Sequence, residues 1–353
     1  MTRFRPATAA DEGAWQALLG RTEAGDFLHD WAWAEVAAFD GQPQRRFVAE
    51  EEGEIVALVA AQQRRLPLGR AFWYLPHGPV LDYADARAAE RLRAVSIGLR
   101  EVGRSARVVA VKLEPRVEVG SGDVAHFDGL RLRYDPRPVQ VGQTRIIDLT
   151  DDEALLASFD KDTRYAVRRS QREGVEVQVL TDASDPSPID ALHGLVLETQ
   201  RRAGFPRPPL ERYRIAWRAL GGAGRASILE ARRTGELLAS GMLVVEGAQS
   251  FYLFAGSRRE EAGEPKHYAS YLLQWEMMRR ARELGSRRHD LWGIAPTDAG
   301  HEHAWYGVGL FKKGFGGREV RWAGTWDVVV DPTLYRLRSA LAMARAAVPG
   351  RNR

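Results

Sequence analysis

The sequence contains no cysteine, and this one absence removes several classes of protein from consideration. Without a thiol there can be no disulfide framework, no thiolate metal site and no cysteine nucleophile. No stretch reaches the eighteen or more apolar residues that a membrane-spanning helix requires. The opening MTRFRPATAADEGAW also lacks the apolar core of a secretory signal. We therefore expect a cytoplasmic protein, with any contact to the inner face of the cell membrane being peripheral.

Lysine is scarce as well. Of the 51 basic residues, all but five are arginines. The five lysines are Lys112, Lys161, Lys266, Lys312 and Lys313. Against that background the adjacent pair Lys312-Lys313 stands out. The net charge of +4 is mild, so it allows a polyanionic partner such as RNA or an anionic lipid surface without identifying one.

What the sequence does have is enough chain and apolar content for two domains. It is 353 residues long, with 44% hydrophobic and 28% charged residues. One pattern occurs twice: residues 48–57 and 230–239 each read as strand, Gly-Glu turn, strand, and the second turn follows the first by 182 residues. An aromatic strand follows each hairpin, Phe72–Leu75 and then Phe251–Phe254.

A long helical stretch and an apolar strand complete each copy of the pattern. The predicted helices are 86–103 and 268–285, and the strands are Val108–Leu113 and Asp290–Trp292. Hairpin, strand, helix, strand is the order of an acetyltransferase-like (GNAT-like) fold. The sequence therefore predicts an α/β (α+β) protein with two tandem GNAT-like domains related by duplication. We place these domains at 1–148 and 149–330, followed by a C-terminal helix and tail, 331–353, packing back on the first domain.

Five segments, taken in order, point further. They are Phe27–Trp33, Tyr74–Val80, Lys161–Arg169, Glu198–Phe205, and the series from Asp290 to Gly317 that contains Gly-Leu-Phe-Lys-Lys-Gly-Phe-Gly-Gly. Together they resemble the FemABX family, the non-ribosomal peptidyltransferases that add amino acids from charged tRNA to peptidoglycan precursors. The long heptad insertion of the larger members is absent after Gly174, so the resemblance is to the short form without a coiled-coil arm.

The resemblance implies an aminoacyltransferase that forms interpeptide bridges, with no cofactor and no metal. Its partners would be aminoacyl-tRNA and a lipid-linked or UDP-linked muramyl pentapeptide, and DNA is not expected. Phe311 and Lys312 match the family's Phe-Lys pair, which is implicated in binding the tRNA acceptor end and stabilising the transition state. A cation there suits the chemistry, because aminoacyl transfer passes through an intermediate with a developing oxyanion.

Substrate binding is expected from Tyr252, Trp33 and Asp290 on the same grounds. Strand alternation would place Tyr252 and Phe254 on one face, and Phe254 lacks the hydroxyl of the family's second tyrosine.

The family's precursor-contacting Arg and Tyr fall on Pro208 and Arg212, while Arg207 and Tyr213 lie one position away and are our candidates. A precursor-binding lysine of some members falls near Ala37. These departures favour a lipid-linked acceptor or a different stem peptide over a soluble UDP-linked one.

The basic segment that begins at Lys161 is the candidate tRNA surface. Lys161, Arg164, Arg168 and Arg169 are three to four residues apart, so much of their charge shares one helical surface. Such a stripe can neutralise phosphates, and it can equally be a solvated helix face. We add Lys313 to this set.

Two other readings remain open. A coenzyme-A-dependent N-acyltransferase would share the fold, but Ala255–Pro265 lacks the spacing of the loop that holds a pyrophosphate at a helix N-terminus. A non-catalytic module that binds RNA or a glycan is the second alternative. Metal catalysis is not expected, because His301 and His303 have no evident third ligand.

Overall fold

The computed structural model describes residues 2–203, 208–258, 266–296, 299–303 and 305–346. Its strands are β1 (Arg3–Pro6), β2 (Gln44–Glu51), β3 (Glu54–Leu66), β4 (Arg70–His77), β5 (Val80–Leu81), β6 (Val108–Pro115), β7 (Arg133–Asp135), β8 (Gln143–Asp148), β9 (Glu176–Leu180), β10 (Ala226–Arg233), β11 (Glu236–Glu246), β12 (Gln249–Ser257), β13 (Arg288–Gly293), β14 (Arg318–Arg321) and β15 (Thr325–Val329). Its helices are α1 (Glu12–Arg21), α2 (Ala34–Phe39), α3 (Ala88–Ser105), α4 (Asp152–Ser158), α5 (Lys161–Arg172), α6 (Ser187–Ala203), α7 (Leu210–Ala216), α8 (Ala269–Glu283), α9 (Tyr306–Lys313) and α10 (Pro332–Ala346). None of these described helices is long and apolar enough to cross a membrane.

The described residues form two mixed sheets, and the two sheets have the same strand order. One runs β1-β2-β3-β4-β6-β15-β7, with β5 beside β3, and the other runs β9-β10-β11-β12-β13-β8-β14. Both predicted hairpins are present, as β2–β3 and β10–β11. In each sheet the aromatic strand pairs in parallel with the strand that follows the long helix, β4 with β6 and β12 with β13. The predicted fold class is therefore confirmed, and the matching order supports duplication.

The chain separates into two compact units that each contain one sheet. Unit 1 falls within residues 1–18, 41–140 and 322–353, and unit 2 within 19–40 and 141–321. This division differs from the predicted ranges because the sheets exchange strands. β8 comes from the end of the predicted first domain but pairs with β13 and β14 in unit 2. β15 comes from the end of the predicted second domain but pairs with β6 and β7 in unit 1.

Helix α10 belongs to unit 1. Tyr335 on this helix packs against the buried Phe72, Tyr74 and Ala110, and its hydroxyl donates to the carboxylate of Asp327 at 2.7 Å. These contacts of α10 all lie within unit 1.

The unit 2 sheet has an apolar core on each face, as strand alternation requires when both faces are covered. On one face Leu229 and Leu243 pack with the stripe of α8 that includes Leu272, Trp275 and Met278. On the other face, alternating residues of the same strands pack with α6, α7 and the segment around Phe27: Ile228, Met242 and Val244. A three-layer unit results, with helices on both sides of the sheet.

The segment 19–40 belongs to unit 2 because the turn between β11 and β12 holds it. The Ala248 N–H donates to the Gly20 carbonyl at 3.2 Å, and the Gln249 side chain donates to the Gly25 carbonyl at 3.2 Å. Arg288 forms an ion pair with Glu23 at 2.8 Å. Backbone approaches backbone so closely here that Gly247 has no room for a side chain: an added Cβ would lie 1.8 Å from the Gly20 oxygen.

Two hairpin glycines provide a matched test of this contact. Gly235 and Gly247 both have positive φ, 85° and 57°, but a Cβ on Gly235 would meet nothing within 4 Å. We expect Gly235→Ala to lower the free energy of unfolding by about 1–2 kcal/mol, the cost of a left-handed alanine. Gly247→Ala should lose a further 1–3 kcal/mol or so through overpacking. Urea unfolding followed by tryptophan fluorescence measures both, and equal losses would contradict the close approach.

Candidate active site

The candidate site lies where two parallel strands of unit 2 separate. In unit 1, β4 and β6 pair from Ala71–Val108 to His77–Pro115. In unit 2, β12 and β13 pair only from Gln249–Arg288 to Phe251–Asp290, and both strands then continue without each other. The separation opens a cavity of about 520 Å³, lined mainly by Tyr252–Ser257, Trp292, Gly293, Trp305, Phe311 and Lys312.

A buried histidine stands one position before the last pair, opposite Ser250. His289 is fully buried; its Nδ1 lies 2.8 Å from Ser250 Oγ on β12, and its Nε2 lies 2.8 Å from Gln274 Nε2 on α8. Because Ser250 Oγ donates to the Arg288 carbonyl, it accepts from His289, which assigns the ring proton to Nδ1. Burial lowers the pKa of His289 to about 3, so the ring is neutral near pH 7. His289 thus joins both strands to α8 just before they separate.

Strand β13 kinks as it leaves its partner. Its pairing with β8 shifts between Asp290 and Gly293, and Trp292 has a φ of 61°, in the left-handed region that a tryptophan rarely adopts. The buried Asp290 carboxylate holds the kink by accepting from the Trp292 N–H at 2.8 Å and from the Thr144 hydroxyl. Beyond the kink, the carbonyls of Trp292 and Gly293 face the side chain of Lys312.

Lys312 binds at these carbonyls. Its Nζ donates to the Gly293 carbonyl at 2.7 Å and lies 3.5 Å from the Trp292 carbonyl oxygen. The ammonium is also 5.9 Å from the centre of the Tyr252 ring, which attracts a cation over its face. Burial lowers the pKa of Lys312 to about 8, and the nearby Asp290 carboxylate opposes that shift. The lysine is 6% exposed, so a cation sits in the wall of a mostly apolar cavity.

Phe311 and the glycine after Lys313 anchor this helix. The Phe311 ring packs edge-on against Tyr271, with centroids 5.0 Å apart, and against Phe315 at 5.1 Å. At Gly314 an added Cβ would lie 2.3 Å from the Thr163 hydroxyl oxygen, and the Gly314 carbonyl accepts from the Asp160 N–H at 2.9 Å. The end of α9 is therefore fastened to the start of α5, the helix that carries the basic stripe.

The expected alternation of Tyr252 and Phe254 is wrong. A β-bulge shifts the register between β11 and β12, so that Leu243 faces Tyr252 while Met242 faces Phe254. The extra residue, Leu253, turns the strand by one position. Tyr252 consequently packs with the α8 core, whereas Phe254 packs with the opposite core, and both line the cavity.

The other predicted substrate-binding residues are distributed unevenly. Tyr213 lines the cavity beside Phe254, with ring centroids 4.3 Å apart. Asp290 is buried and is not among the residues that line the cavity. Trp33 is instead a core residue, 3% exposed and packed on Phe27, because apolar side chains of the 19–40 segment also pack in the core on that face of the sheet. Arg207 lies outside the described residues.

The basic stripe on α5 divides into engaged and free cations. Arg164 donates to the carbonyls of Ala157 and Phe159, and Arg169 forms an ion pair with Glu173. These two side chains brace the local fold. Lys161, Arg168, Arg172 and Lys313 are exposed, and form no ion pair or side-chain hydrogen bond within the described part of the chain.

Several cavity residues were not singled out from the sequence. Trp292 and Gly293 supply the carbonyls that hold Lys312, and Trp305 forms part of the wall. Trp292 and Gly293 stand in the same segment as Asp290, so the signal was present. Their contribution is made by backbone carbonyls, however, and side-chain reasoning overlooks those.

Comparison with known proteins shows what this chain is similar to. A family model described as the FemAB family matches residues 225–343, which include the cavity-forming strands β12 and β13 and helices α8 and α9. The chain is 24% identical to the UDP-N-acetylmuramoylpentapeptide-lysine N(6)-alanyltransferase of Weissella viridescens, over 91% of this chain and 94% of that protein. It is 25% identical to the lipid II:glycine glycyltransferase of Staphylococcus aureus, over 89% of this chain and 90% of that protein.

Solved structures agree on the fold. A crystal structure of FemX aligns with a TM-score of 0.84 at 21% identity, covering 95% of this chain and 99% of that one. A tandem GNAT protein from the clavulanic acid biosynthesis pathway aligns with a TM-score of 0.52 at 15% identity, covering 94% of this chain and 99% of that one. The chain is thus similar to the FemAB family over residues 225–343, and to an alanyltransferase and a glycyltransferase over nearly its whole length.

Proposed function

We propose that this protein is an aminoacyltransferase that moves an amino acid from aminoacyl-tRNA to the stem peptide of a peptidoglycan precursor, forming an interpeptide bridge. The observation that carries the proposal is Lys312, a buried cation in the wall of an apolar cavity that opens between β12 and β13. Relatives across the length of the chain, named as an alanyltransferase and as glycyltransferases acting on such precursors, support it.

The reaction requires little of the protein beyond positioning and charge. The amine nitrogen of the acceptor attacks the carbonyl carbon of the ester that joins the amino acid to the terminal ribose. A C–N bond forms, the ester C–O bond breaks, and the proton lost by the amine replaces the carbon on the ribose oxygen. Between these events the carbonyl oxygen carries negative charge, and a preorganised donor such as the Lys312 ammonium stabilises it.

The cavity suits this step because its wall is mostly apolar. Tyr252, Phe254, Trp305 and Phe311 supply apolar surface, and an electrostatic contact to Lys312 is stronger there than in water. For the acceptor, the proposal covers a lipid-linked or a UDP-linked muramyl pentapeptide. For the donor, the exposed and unpaired cations of α5 and Lys313 favour a ligand with many phosphates.

The deciding experiment combines the purified protein with a pool of charged tRNAs and either lipid-linked or UDP-linked pentapeptide. Mass spectrometry then identifies the added residue. We expect aminoacyl addition with charged tRNA and none with acetyl-CoA. Lys312→Met should reduce the rate by about 10²–10³, the usual cost of removing one oxyanion donor, while the exposed Lys313→Met should keep kcat near that of the wild type. Acetyl transfer from acetyl-CoA, or RNA binding without turnover, would replace the proposal with one of the two alternatives.

The pH dependence tests whether Lys312 acts as a cation. Its pKa is lowered to about 8, so the ammonium is lost and the single-turnover rate should fall as the pH rises through that value. Asp290 raises this pKa, so Asp290→Asn should move the falling limb to lower pH. The ester also hydrolyses faster in base, and that background is subtracted using reactions without acceptor. A falling limb that stays in place in Asp290→Asn would show that another group titrates.

The free cations of α5 provide a third test. Arg168→Gln should raise the KM for charged tRNA, and lower the slope of log KM against log salt by about one, because one phosphate contact and its released counterion are lost. Arg287→Gln removes the same charge from an exposed position just before β13, at the end of the strand away from the cavity, and should leave the slope unchanged. Equal effects of both variants would indicate a general charge effect rather than a binding surface.

A further inference from the structure

An exposed tyrosine stands inside the free part of the basic stripe. Tyr165 is 50% exposed, and it lies four residues after Lys161, three before Arg168 and seven before Arg172, so all four side chains share one face of α5. Asp160 and Asp162 lie at the start of this helix, where Asp160 caps it by accepting from the Thr163 N–H. The positive charge therefore surrounds Tyr165 and continues beyond it toward the C-terminal end of α5.

From Tyr165 a series of rings leads to the cavity. Tyr165 contacts Tyr268 with centroids 6.1 Å apart, Tyr268 contacts Tyr271 at 6.1 Å, and Tyr271 contacts Phe311 at 5.0 Å. Phe311 lines the cavity next to Lys312. Each of these four rings is at least partly exposed. The series thus joins the free face of α5 to the reacting centre without a break.

Tyr268, the middle one of the three tyrosines, has an unfavourable backbone conformation. Tyr268 precedes α8 with φ 54° and ψ 28°, in the left-handed region, and its side chain makes no cap hydrogen bond. A residue with a Cβ loses about 1–2 kcal/mol there. Conformations of this kind are retained where the position of the side chain matters, and here the ring is placed between Tyr165 and Tyr271.

We propose that Tyr165, Tyr268 and Tyr271 form a stacking track for the unpaired 3′ end of the donor tRNA, guiding it from the face of α5 to Phe311 and Lys312. This inference rests on the proposed function, since it names the part of the donor that the surface binds. Proteins hold single-stranded nucleic acid by combining cations for the phosphates with aromatic rings for the bases. With a terminal ribose at Phe311, the ester would lie next to Lys312, because both residues line the cavity.

The ring rather than the hydroxyl of Tyr165 is expected to matter. Tyr165→Ala should raise the KM for charged tRNA about 5- to 150-fold with little change in kcat, the range that corresponds to one lost base–aromatic stack. Tyr165→Phe should bind like the wild type because it keeps the ring. Gln171→Ala is the matched control, since Gln171 is exposed on the same helix but six residues away, on a different face.

Two substrates locate the contact. Full-length charged tRNA and a short aminoacylated oligoribonucleotide with only the unpaired 3′ sequence are compared, and the same oligoribonucleotide without its amino acid is titrated by fluorescence anisotropy. We expect Tyr165→Ala to weaken all three by similar factors. A loss confined to full-length tRNA, or an equal loss in Tyr165→Phe, would overturn the stacking track. If the wild type transfers amino acids and Tyr165→Ala is unaffected, the track fails and the proposed function stands. If the wild type neither transfers nor binds, the proposed function itself fails.

Discussion

The architecture of unit 2 depends on how the sheet tolerates an interruption between two of its central strands. Separating β12 from β13 removes backbone groups from the ladder, and a buried polar group without a partner costs about 1–3 kcal/mol. Here those groups are bonded to side chains of the candidate site. Asp290 accepts from the Trp292 N–H, and Lys312 donates to the carbonyl of Gly293. The contacts that stabilise the opening are thus the same ones that fix a cation in its wall.

The duplicated unit shows what happens when the strands stay together. β4 and β6 remain paired along their length, and the buried Tyr74 hydroxyl donates to Glu114, whose other oxygen accepts from the backbone at Val139 and Gln140. The Glu114 carboxylate therefore holds the backbone of a loop. The two copies of one fold therefore differ at the same structural position. The strands stay paired in unit 1, and they separate at the candidate site in unit 2.

Local features of the sequence predicted much of this fold, and non-local pairing accounts for what they missed. The Gly-Glu turns predicted hairpins and the periodic apolar residues predicted helices, because the residues that interact in them are a few positions apart. The sequence also indicated Lys312, because the chain has so few lysines. The bulge at Leu253, the core position of Trp33 and the engagement of Arg164 by backbone carbonyls depend on neighbours that no spacing rule identifies. The exchange of β8 and β15 belongs to the same class, since each strand pairs with strands far away in the sequence.

That exchange has a consequence for how the chain matures on the ribosome. Residues up to 321 contain every strand of the unit 2 sheet, whereas the unit 1 sheet still lacks β15 at that point. Until residues 325–329 emerge, the apolar strand β6, buried at most positions in the finished protein, presents an open edge. The unit synthesised first is accordingly completed last. During that interval the open edge of β6 can mispair with another nascent chain, and a chaperone that shields it would act on unit 1 rather than on the unit that carries the candidate active site.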